Sequence, residues 1–419
     1  MINLPKIKGI KIQDKLLLVE IILYTVLSLI YPFIVEKFAY KGYVYEFNFV
    51  KFLIALGIIL FLLFIGKTIR KGLIGAVWHI YLVYLMFPAT IFYYTTNSSI
   101  HLLFINLIFL GTLFFGKFIS IKIKFSRLSI NNKRNYYLLG AITLIMFIPF
   151  LIFYSKYINI NNLFLKEIYE TRYIFREIRI PVLNYMINPM VRVFLPVLII
   201  ASIVKKKYKL VLIFSLMVLY LFMCGAFRSY LFGFFAILLF YKGNYEFKPI
   251  IFGGILIFLI VFGYIFNNHL FYLLDAGIRR FLFVPVNLNN IYYEYFKDSY
   301  LYWSHNPIGN LFFEYPFDKG LTAYVGQELI GKSGLNANVG VIIEGFVSAG
   351  YFGVILHSIF FTFIFVFLNH LKISPRYFGI LFIFLFTTNN SLIALLFITH
   401  GFLVYLIITA LFLKETDNK

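Results

Sequence analysis

The chain has 419 residues, of which 62% are hydrophobic and only 13% are charged. Soluble domains contain about a quarter charged residues and about half apolar ones, so this composition excludes a water-soluble fold. The single cysteine, Cys224, excludes an internal disulfide and a cluster of thiolate metal ligands. We therefore predict an all-α, polytopic integral membrane protein that forms a single domain over residues 1–419.

Apolar runs, most of them long enough to cross a hydrocarbon layer about 30 Å thick, recur along the whole chain. They predict twelve transmembrane helices. Their approximate bounds are 16–35, 49–66, 73–94, 100–119, 136–154, 186–204, 210–226, 229–241, 249–268, 340–368, 377–388 and 391–413. The basic N-terminal segment precedes a run without a signal-peptide cleavage pattern, so we place it in the cytoplasm.

The formal net charge of +21 follows the same topology. With both termini inside, the predicted cytoplasmic segments hold 23 of the 38 Lys and Arg residues. This excess is the positive-inside pattern of membrane proteins. The charge therefore indicates orientation in a membrane, and we expect no nucleic-acid partner.

Two predicted connections on the extracytoplasmic side are long, at residues 155–185 and 269–339. Long loops with a pattern of their own are more often functional than merely connecting. Seven arginines lie in these loops or in spans on the same side, and the guanidinium group suits bidentate recognition of phosphate. They are Arg172, Arg176, Arg179, Arg192, Arg228, Arg279 and Arg280. We therefore expect the extracytoplasmic side to bind an anionic ligand.

The first long loop carries three of these residues at spacings i, i+4 and i+7. On a helix, Arg172, Arg176 and Arg179 would form one arginine stripe within an arc of about 60°, and Pro181 would end that helix. The stripe fits an anion-binding helix and equally an interfacial helix that contacts lipid headgroups. Both interpretations stay open.

Two further arginines lie where the surrounding chain is apolar. Arg192 lies about 20 Å along a predicted span from its cytoplasmic end, and a charge at that depth usually faces a cavity or a partner. Arg228 forms the tip of a hairpin whose flanking Lys209 and Lys242 have only 32 residues between them. Two full spans need about 40 residues. We therefore expect the Arg228 tip to lie below the membrane surface or to thin the bilayer, and to need an anionic partner from the protein or from a ligand.

The second long loop begins with Arg279 and Arg280, followed by Pro285 and a tyrosine-rich run that includes Tyr292 and Tyr293. Arginine supplies hydrogen bonds to phosphate, and tyrosine offers a flat face and a hydroxyl group to a sugar. This mixture fits a glycan that is linked through pyrophosphate. An aromatic belt at the membrane interface would have a similar composition.

The same loop ends in a motif that runs from Asn336 to Gly353. Asn336 and Asn338 would precede a helix N-terminus, which favours anions. Glu344 would be a carboxylate within the membrane, with either a catalytic or substrate role or a pairing role toward an outer arginine. Three glycines would allow close helix packing: Gly345, Gly350 and Gly353.

The histidines follow no metal-binding pattern, and the sequence contains no P-loop, dinucleotide fingerprint or G-x-S-x-G elbow. We therefore expect no metal site and no cofactor. His305, in WSHNPIG, is a candidate base or a structural loop histidine.

Taken together, the chain resembles bacterial Wzy-type O-antigen or capsular repeat-unit polymerases. The resemblance rests on the Arg-tipped hairpin, the RRF…P…YYEYF segment and the N-x-N-x-G…E-G…G-x2-G motif, within about residues 185–370. It implies a glycosyltransferase at the outer face of the inner membrane. Its substrates would be oligosaccharide repeat units linked to undecaprenyl pyrophosphate, and its partners membrane lipid and a chain-length regulator protein.

The resemblance also implies roles for the arginines. Arg228, Arg279 and Arg280 would hold the donor pyrophosphate and stabilise its charge as it leaves. Arg192 and the arginine stripe would hold the second lipid pyrophosphate. Tyr292, Tyr293, Asn336 and Asn338 would contact substrate.

Glu344 would position or deprotonate the acceptor hydroxyl, with Asp275 and His305 as alternatives. Two other functions remain open. An O-antigen ligase would share the arginine-rich loop but should carry a histidine near the start of the late helix, where this chain has Asn-Ala-Asn. A lipid-linked oligosaccharide flippase, or another transporter, should carry charges along several spans.

Overall fold

The structure is a computed structural model that describes residues 12–69, 71–121, 128–164, 166–178 and 180–413. Every regular element in these ranges is a helix. The first ten α-helices are α1 (Ile12–Phe38), α2 (Phe49–Gly66), α3 (Gly72–Tyr81), α4 (Phe87–Thr95), α5 (His101–Gly116), α6 (Lys133–Tyr154), α7 (Ile168–Glu177), α8 (Pro181–Pro189), α9 (Leu195–Val204) and α10 (Tyr208–Gly225). The others are α11 (Arg228–Leu239), α12 (Phe247–Ile265), α13 (Asn267–Leu274), α14 (Val284–Phe296), α15 (Leu321–Tyr324), α16 (Val341–His370), α17 (Phe378–Thr388), α18 (Ile393–Ile398) and α19 (Phe402–Phe412).

Eight helical segments in the described residues are long and apolar enough to cross a membrane. They are Asp14–Phe38, Phe49–Gly66, Gly72–Thr95, Lys133–Tyr157, Val182–Val204, Tyr208–Gly225, Phe247–Ile265 and Val341–His370. Four shorter apolar helical segments accompany them: His101–Gly116, Arg228–Leu239, Pro375–Thr388 and Phe402–Phe412. The chain is therefore an α-helical membrane protein. Each of the twelve predicted runs overlaps one of these segments, while the number of crossings stays a prediction.

Helix burial follows the distribution of apolar residues. The segment Gly72–Thr95 is largely apolar and is buried from Leu73 to Thr95, whereas only 28% of the residues of α2 are buried. A helix that is apolar all round suits the centre of a bundle. The large apolar residues that α2 leaves exposed, among them Phe61 and Phe64, suit a surface toward lipid tails.

The chain divides into two compact units. Unit 1 comprises Met1–Phe118 and Asn244–Thr362, and unit 2 comprises Ile119–Gly243 and Phe363–Lys419. Of the predicted site residues, Arg279, Arg280, Tyr292, Tyr293, Asn336, Asn338 and Glu344 belong to unit 1. Unit 2 holds Arg172, Arg176, Arg192 and Arg228, and Arg179 lies outside the described residues.

The run predicted as one span over 340–368 is apolar as expected but is not one straight helix, because α16 is folded back on itself. Ala349 and Gly350 have non-helical backbone angles, with φ of +58° and ψ of −144° at Gly350. The His357 Nδ1 atom lies 2.6 Å from the Val341 carbonyl oxygen, although 16 residues of straight helix would separate them by about 24 Å. Residues 341–348 therefore form a short first arm that packs against the longer second arm, 351–370.

Glycines make this fold-back possible. A Cβ atom on Gly345 would lie 2.5 Å from the Gly353 carbonyl oxygen, so the two backbones touch. The predicted close approach at these glycines is confirmed, but it joins the two arms of one helix. Gly350 supplies the left-handed turn, which residues with a side chain adopt only with strain.

The last predicted span, 391–413, is also interrupted. It consists of α18 and α19, separated by Thr399–Gly401, and Gly401 has a φ of +84°. A Cβ atom on Gly401 would lie about 3.0 Å from the Cα of Pro189 in α8. The break thus brings the Thr399–Gly401 turn against the end of α8 within unit 2.

Candidate functional site

Arg192 lies in a π-helical segment, Met190–Phe194, between α8 and α9. Pro196 follows four residues later and lacks the N–H that would bond to the Arg192 carbonyl, so the regular helix cannot continue here. The side chain is buried, with 8% of the residue exposed. Its Nη1 donates to Thr387 Oγ1 at 3.5 Å, and its Nε has no hydrogen-bond partner in the described residues.

Other polar side chains of unit 2 surround Arg192. Asn188 Nδ2 donates to the Thr399 carbonyl at 2.9 Å, and the Tyr230 hydroxyl donates to Asn188 Oδ1 at 3.4 Å. His400, in the broken turn, lies within electrostatic range of Arg192, and its Nδ1 is buried without a hydrogen-bond partner in the described residues. We call Asn188, Arg192, Tyr230, Thr387 and His400 the unit 2 polar cluster.

The unit 2 polar cluster contains no carboxylate, and Arg192 forms no ion pair with a described acidic residue. A buried guanidinium without a counter-charge is costly, by several kcal/mol. Two nitrogens with unused hydrogen-bonding capacity, Arg192 Nε and His400 Nδ1, lie in the same cluster. The arrangement is suited to an anion that accepts hydrogen bonds.

Arg228 is the first residue of α11, after the turn that closes the α10–α11 hairpin. Its guanidinium lies 5.5 Å from the centre of the Tyr169 ring, and the residue is exposed. It forms no ion pair with a described carboxylate. The structure therefore gives Arg228 no anionic partner from the described residues of the protein, a bound ligand stays the other predicted source, and the side chain is open toward its surroundings.

Arg172 of α7 has a structural contact at the same hairpin. Its Nε donates to the Ala226 carbonyl at 2.9 Å, just beyond the end of α10. A cation at a helix C-terminus is stabilised by the helix dipole. The arginine stripe does not continue along one helix, because α7 ends at Glu177. Arg176 lies within α7, and Arg179 falls outside the described residues.

Pro181 was predicted to end the helix that carries the arginine stripe, and this is wrong in detail. Pro181 is instead the first residue of α8. Proline suits that position, because the first N–H of a helix has no partner within the helix.

In unit 1, Arg279 and Arg280 share one carboxylate, Asp275. Arg279 Nε donates to Asp275 Oδ1 at 2.7 Å, and Arg280 Nε donates to Oδ2 at 3.0 Å. The guanidinium of Arg279 is buried over the Phe38 ring, 4.3 Å from its centre, and lies 5.8 Å from the Tyr43 ring. Asp275 is thus an anchor for both arginines, and the three side chains carry one net positive charge.

Glu344 is fully buried in the first arm of α16. Its Oε1 accepts hydrogen bonds from His305 Nε2 at 3.0 Å and from Asn306 Nδ2 at 3.1 Å. His305 Nδ1 is buried without a hydrogen-bond partner in the described residues. When a carboxylate accepts from Nε2, the neutral imidazole carries its lone pair on Nδ1 and can accept a proton there. The pair therefore has the parts of a general base.

Backbone hydrogen bonds fix the loop that carries His305. Leu301 and Tyr302 donate to the Val347 and Ser348 carbonyls at the end of the first arm of α16, at 2.9 and 2.8 Å. Tyr302 and Trp303 adopt positive φ values, of 46° and 61°. Strained backbone of this kind persists only where its surroundings hold it, and it is common at functional sites.

A second histidine joins this loop to both arms of α16. Trp303 Nε1 donates to His357 Nε2 at 3.0 Å, so His357 donates through Nδ1 to the Val341 carbonyl. The tautomer of His357 is thereby set by its two partners. His357 holds the fold-back that positions Glu344.

The other predicted site residues of the second loop have contacts of their own, and Tyr292 also lies within electrostatic range of Glu344. Tyr292 is buried, its hydroxyl donates to the Ala337 carbonyl at 2.6 Å, and burial raises its pKa. Tyr293 is 7% exposed and stacks on His101. Asn336 and Asn338 are exposed on the segment before α16. The two tyrosines therefore support the packing of unit 1, and substrate contact by these four residues stays a prediction.

Sequence reasoning missed several buried polar residues. Asn188 and His400 lie within predicted apolar spans, so their polarity was a usable signal. Glu20 and His79 form a buried pair between α1 and α3, with His79 Nδ1 2.6 Å from the Glu20 carboxylate. Nothing local in the sequence indicates that His305 meets Glu344, because 39 residues separate them.

No group of three or more histidine, cysteine or acidic side chains in the described part of the chain could hold a metal ion. Comparison of the chain with protein-family models, with curated proteins and with solved structures finds no match.

Proposed function

We propose that the protein is a glycosyltransferase that polymerises a surface polysaccharide at the outer face of a bacterial inner membrane. It transfers the growing glycan from undecaprenyl pyrophosphate to the next lipid-linked repeat unit. In this proposal, twelve helices cross the membrane, both termini lie in the cytoplasm and the transfer takes place at the extracytoplasmic face. It follows the resemblance to Wzy-type polymerases, with membrane lipid and a chain-length regulator as further partners.

The observation that carries the proposal is the unit 2 polar cluster. Arg192 is more than nine-tenths buried, lacks an acidic partner in the described residues and keeps an unused N–H. A pyrophosphate would supply both the missing charge and the missing acceptor atoms. Arg228, which also forms no described ion pair, would add a second cation in the same unit.

The proposed transfer needs a base and a stabilised leaving group. The acceptor hydroxyl oxygen attacks the anomeric carbon of the donor sugar, and its proton passes to the Glu344–His305 pair. The bond from that carbon to the pyrophosphate oxygen breaks, and undecaprenyl pyrophosphate leaves with the electron pair. Arginine side chains stabilise the negative charge that develops on this leaving group. No nucleotide sugar is consumed.

An O-antigen ligase is the second candidate, and one observation favours it. Such an enzyme should carry a histidine near the start of the late helix. The sequence has Asn-Ala-Asn there, but the fold brings His305 to Glu344 in the first turn of α16. Both activities use the same donor, and they differ in the acceptor.

The surface glycan of a strain that lacks the gene tests the proposal, with lipid-linked intermediates extracted in parallel. The polymerase predicts that the ladder of long chains disappears and that single repeat units remain on the surface anchor. Long polymer that accumulates on undecaprenyl pyrophosphate would identify a ligase, and units retained on the cytoplasmic face would identify a flippase. An unchanged profile would contradict all three functions.

A further inference from the structure

A polar cavity lies within unit 1, next to the residues that anchor Arg279. Its volume is about 320 Å³, near the lower end of the range of about 300–1,000 Å³ for small-molecule sites. It is lined by Gly42, Tyr43, Val44, Glu46, Phe92, Thr96, Asn97, Ser98, Asn287, Asn290 and Glu294. The polar groups that line this cavity need hydrogen-bond partners, which either water or a bound ligand must supply.

One wall of the cavity is a face of α14. Asn287, Asn290 and Glu294 follow each other at i, i+3 and i+7, within an arc of about 60°. Asn290 Oδ1 is buried and has no hydrogen-bond partner in the described residues. Since an unpaired buried amide costs about 1–3 kcal/mol, a ligand that bonds to Asn290 would recover this cost.

The opposite wall supplies a second set of polar groups. The amide of Asn97 donates to the Glu46 carboxylate at 2.5 Å, which orients both side chains. The Tyr43 hydroxyl is buried without a hydrogen-bond partner in the described residues, and a phenol at neutral pH can donate. Phe92 adds a flat apolar surface. Oriented amides and carboxylates beside aromatic rings suit a hydroxylated ring with apolar C–H faces.

The charge of the lining selects among ligands. Two carboxylates, Glu46 and Glu294, line the cavity, and the lining contains no lysine or arginine, while Lys297 pairs with Glu294 at 2.8 Å. Glu46 would therefore repel an anionic sugar or a phosphate. A neutral sugar accepts hydrogen bonds from the amides and donates to the carboxylates, and an amino group would gain an ionic attraction.

We propose that this cavity binds one neutral or amino-bearing sugar residue of the glycan substrate. Tyr43 joins the cavity to the arginine pair, since its ring lines the cavity and lies 5.8 Å from the Arg279 guanidinium. A sugar in the cavity would therefore lie beside a cationic group suited to phosphate. This inference refines the proposed function. It rests on that function in one respect only, which is that the sugar belongs to the glycan substrate.

Saturation-transfer NMR on the full-length protein in lipid nanodiscs tests the proposal, with N-acetylglucosamine, glucosamine and glucuronate as probes. We expect saturation transfer to at least one of the first two sugars and at least tenfold less to glucuronate. Asn290→Leu and Asn287→Ala should each weaken binding at least tenfold. Asn310→Ala removes an exposed amide of unit 1 that does not line the cavity and should bind like the wild type.

Three results would overturn the inference. They are equal binding of glucuronate, no binding of any probe, and binding that survives both substitutions in folded protein. The readout is independent of polymer formation. Sugar binding that depends on Asn290 would support the sugar site even if deletion of the gene left the surface glycan unchanged. An unchanged surface glycan would instead contradict the proposed polymerase function.

Discussion

Arg192 is a buried cation whose described surroundings offer one weak hydrogen bond and no carboxylate. If its purpose is to bind a ligand, its removal should not harm the fold. Replacing buried charge by a well-packed apolar group is often neutral or stabilising by about 1–4 kcal/mol. We therefore predict that Arg192→Met keeps or raises the unfolding temperature in nanodiscs and abolishes long glycan in cells.

Arg376→Met is the matched control for this prediction, because Arg376 is exposed. Its polymer ladder should equal that of the wild type. An Arg192→Met protein that unfolds at a much lower temperature yet still makes polymer would show that the arginine serves the fold.

The Glu344–His305 pair gives a prediction about the chemical step. General acid–base groups contribute about 10²–10⁴-fold to rate. Glu344→Gln keeps the shape of the side chain but removes the carboxylate that orients His305, and His305→Ala removes the imidazole. Each should lower the rate of transfer in purified protein by at least about 100-fold.

Glu328→Gln serves as the control, because Glu328 is exposed and pairs with Lys319. It should transfer at the wild-type rate. Normal transfer by either Glu344→Gln or His305→Ala would exclude the pair as the base.

The sequence showed which residues carry chemically useful groups more reliably than it showed which residues contact each other. A charge such as Arg192 in an apolar run is visible at once, because lipid tolerates it so poorly. The partner of Glu344 was not visible, since His305 reaches it only through a strained loop and a folded-back helix. Asp275 was assigned as an alternative base, but two arginines that follow it occupy both of its oxygens.

At the scale of elements, the fold-back of α16 depends on one glycine. Gly350 has backbone angles that are almost restricted to glycine, and a Cβ atom there would lie 2.8 Å from the Tyr300 hydroxyl. Such strain costs about 1–3 kcal/mol. We predict that Gly350→Ala lowers the unfolding temperature clearly and also impairs transfer, because the first arm carries Glu344.

Gly254→Ala is the matched control for Gly350→Ala. Gly254 is exposed in α12, with open space around the added methyl group. Alanine there should be neutral or stabilising by up to about 1 kcal/mol. Equal unfolding temperatures for the two variants would contradict the account of the fold-back.

The apolar runs predicted where helices lie, because hydropathy records which residues avoid water. They did not predict how those helices break. Hydropathy does not reveal the backbone turn at Ala349–Gly350 or the break at Thr399–Gly401, since both lie inside apolar sequence. In each case the turn contains a glycine that adopts a positive φ, and in the sequence only the glycine itself is visible.

At the scale of the whole molecule, the charge distribution predicts an orientation that labelling can test. The only native cysteine, Cys224, is buried, so single-cysteine reporters are simple to build on a Cys224→Ala background. Asn244→Cys and Asn310→Cys place reporters at exposed positions on opposite predicted sides. A membrane-impermeant maleimide should label Asn310→Cys in intact cells and Asn244→Cys only after permeabilisation. The reverse pattern would contradict the orientation.

The most direct test of the central claim uses the purified protein in lipid vesicles, with undecaprenyl-pyrophosphate-linked repeat units and no nucleotide sugar. We predict glycans longer than one repeat unit on the lipid and release of undecaprenyl pyrophosphate, with both lost in the Arg192→Met and Glu344→Gln proteins. Repeat units that stay single with folded wild-type protein, or that are transferred only to a different lipid acceptor, would contradict the polymerase function.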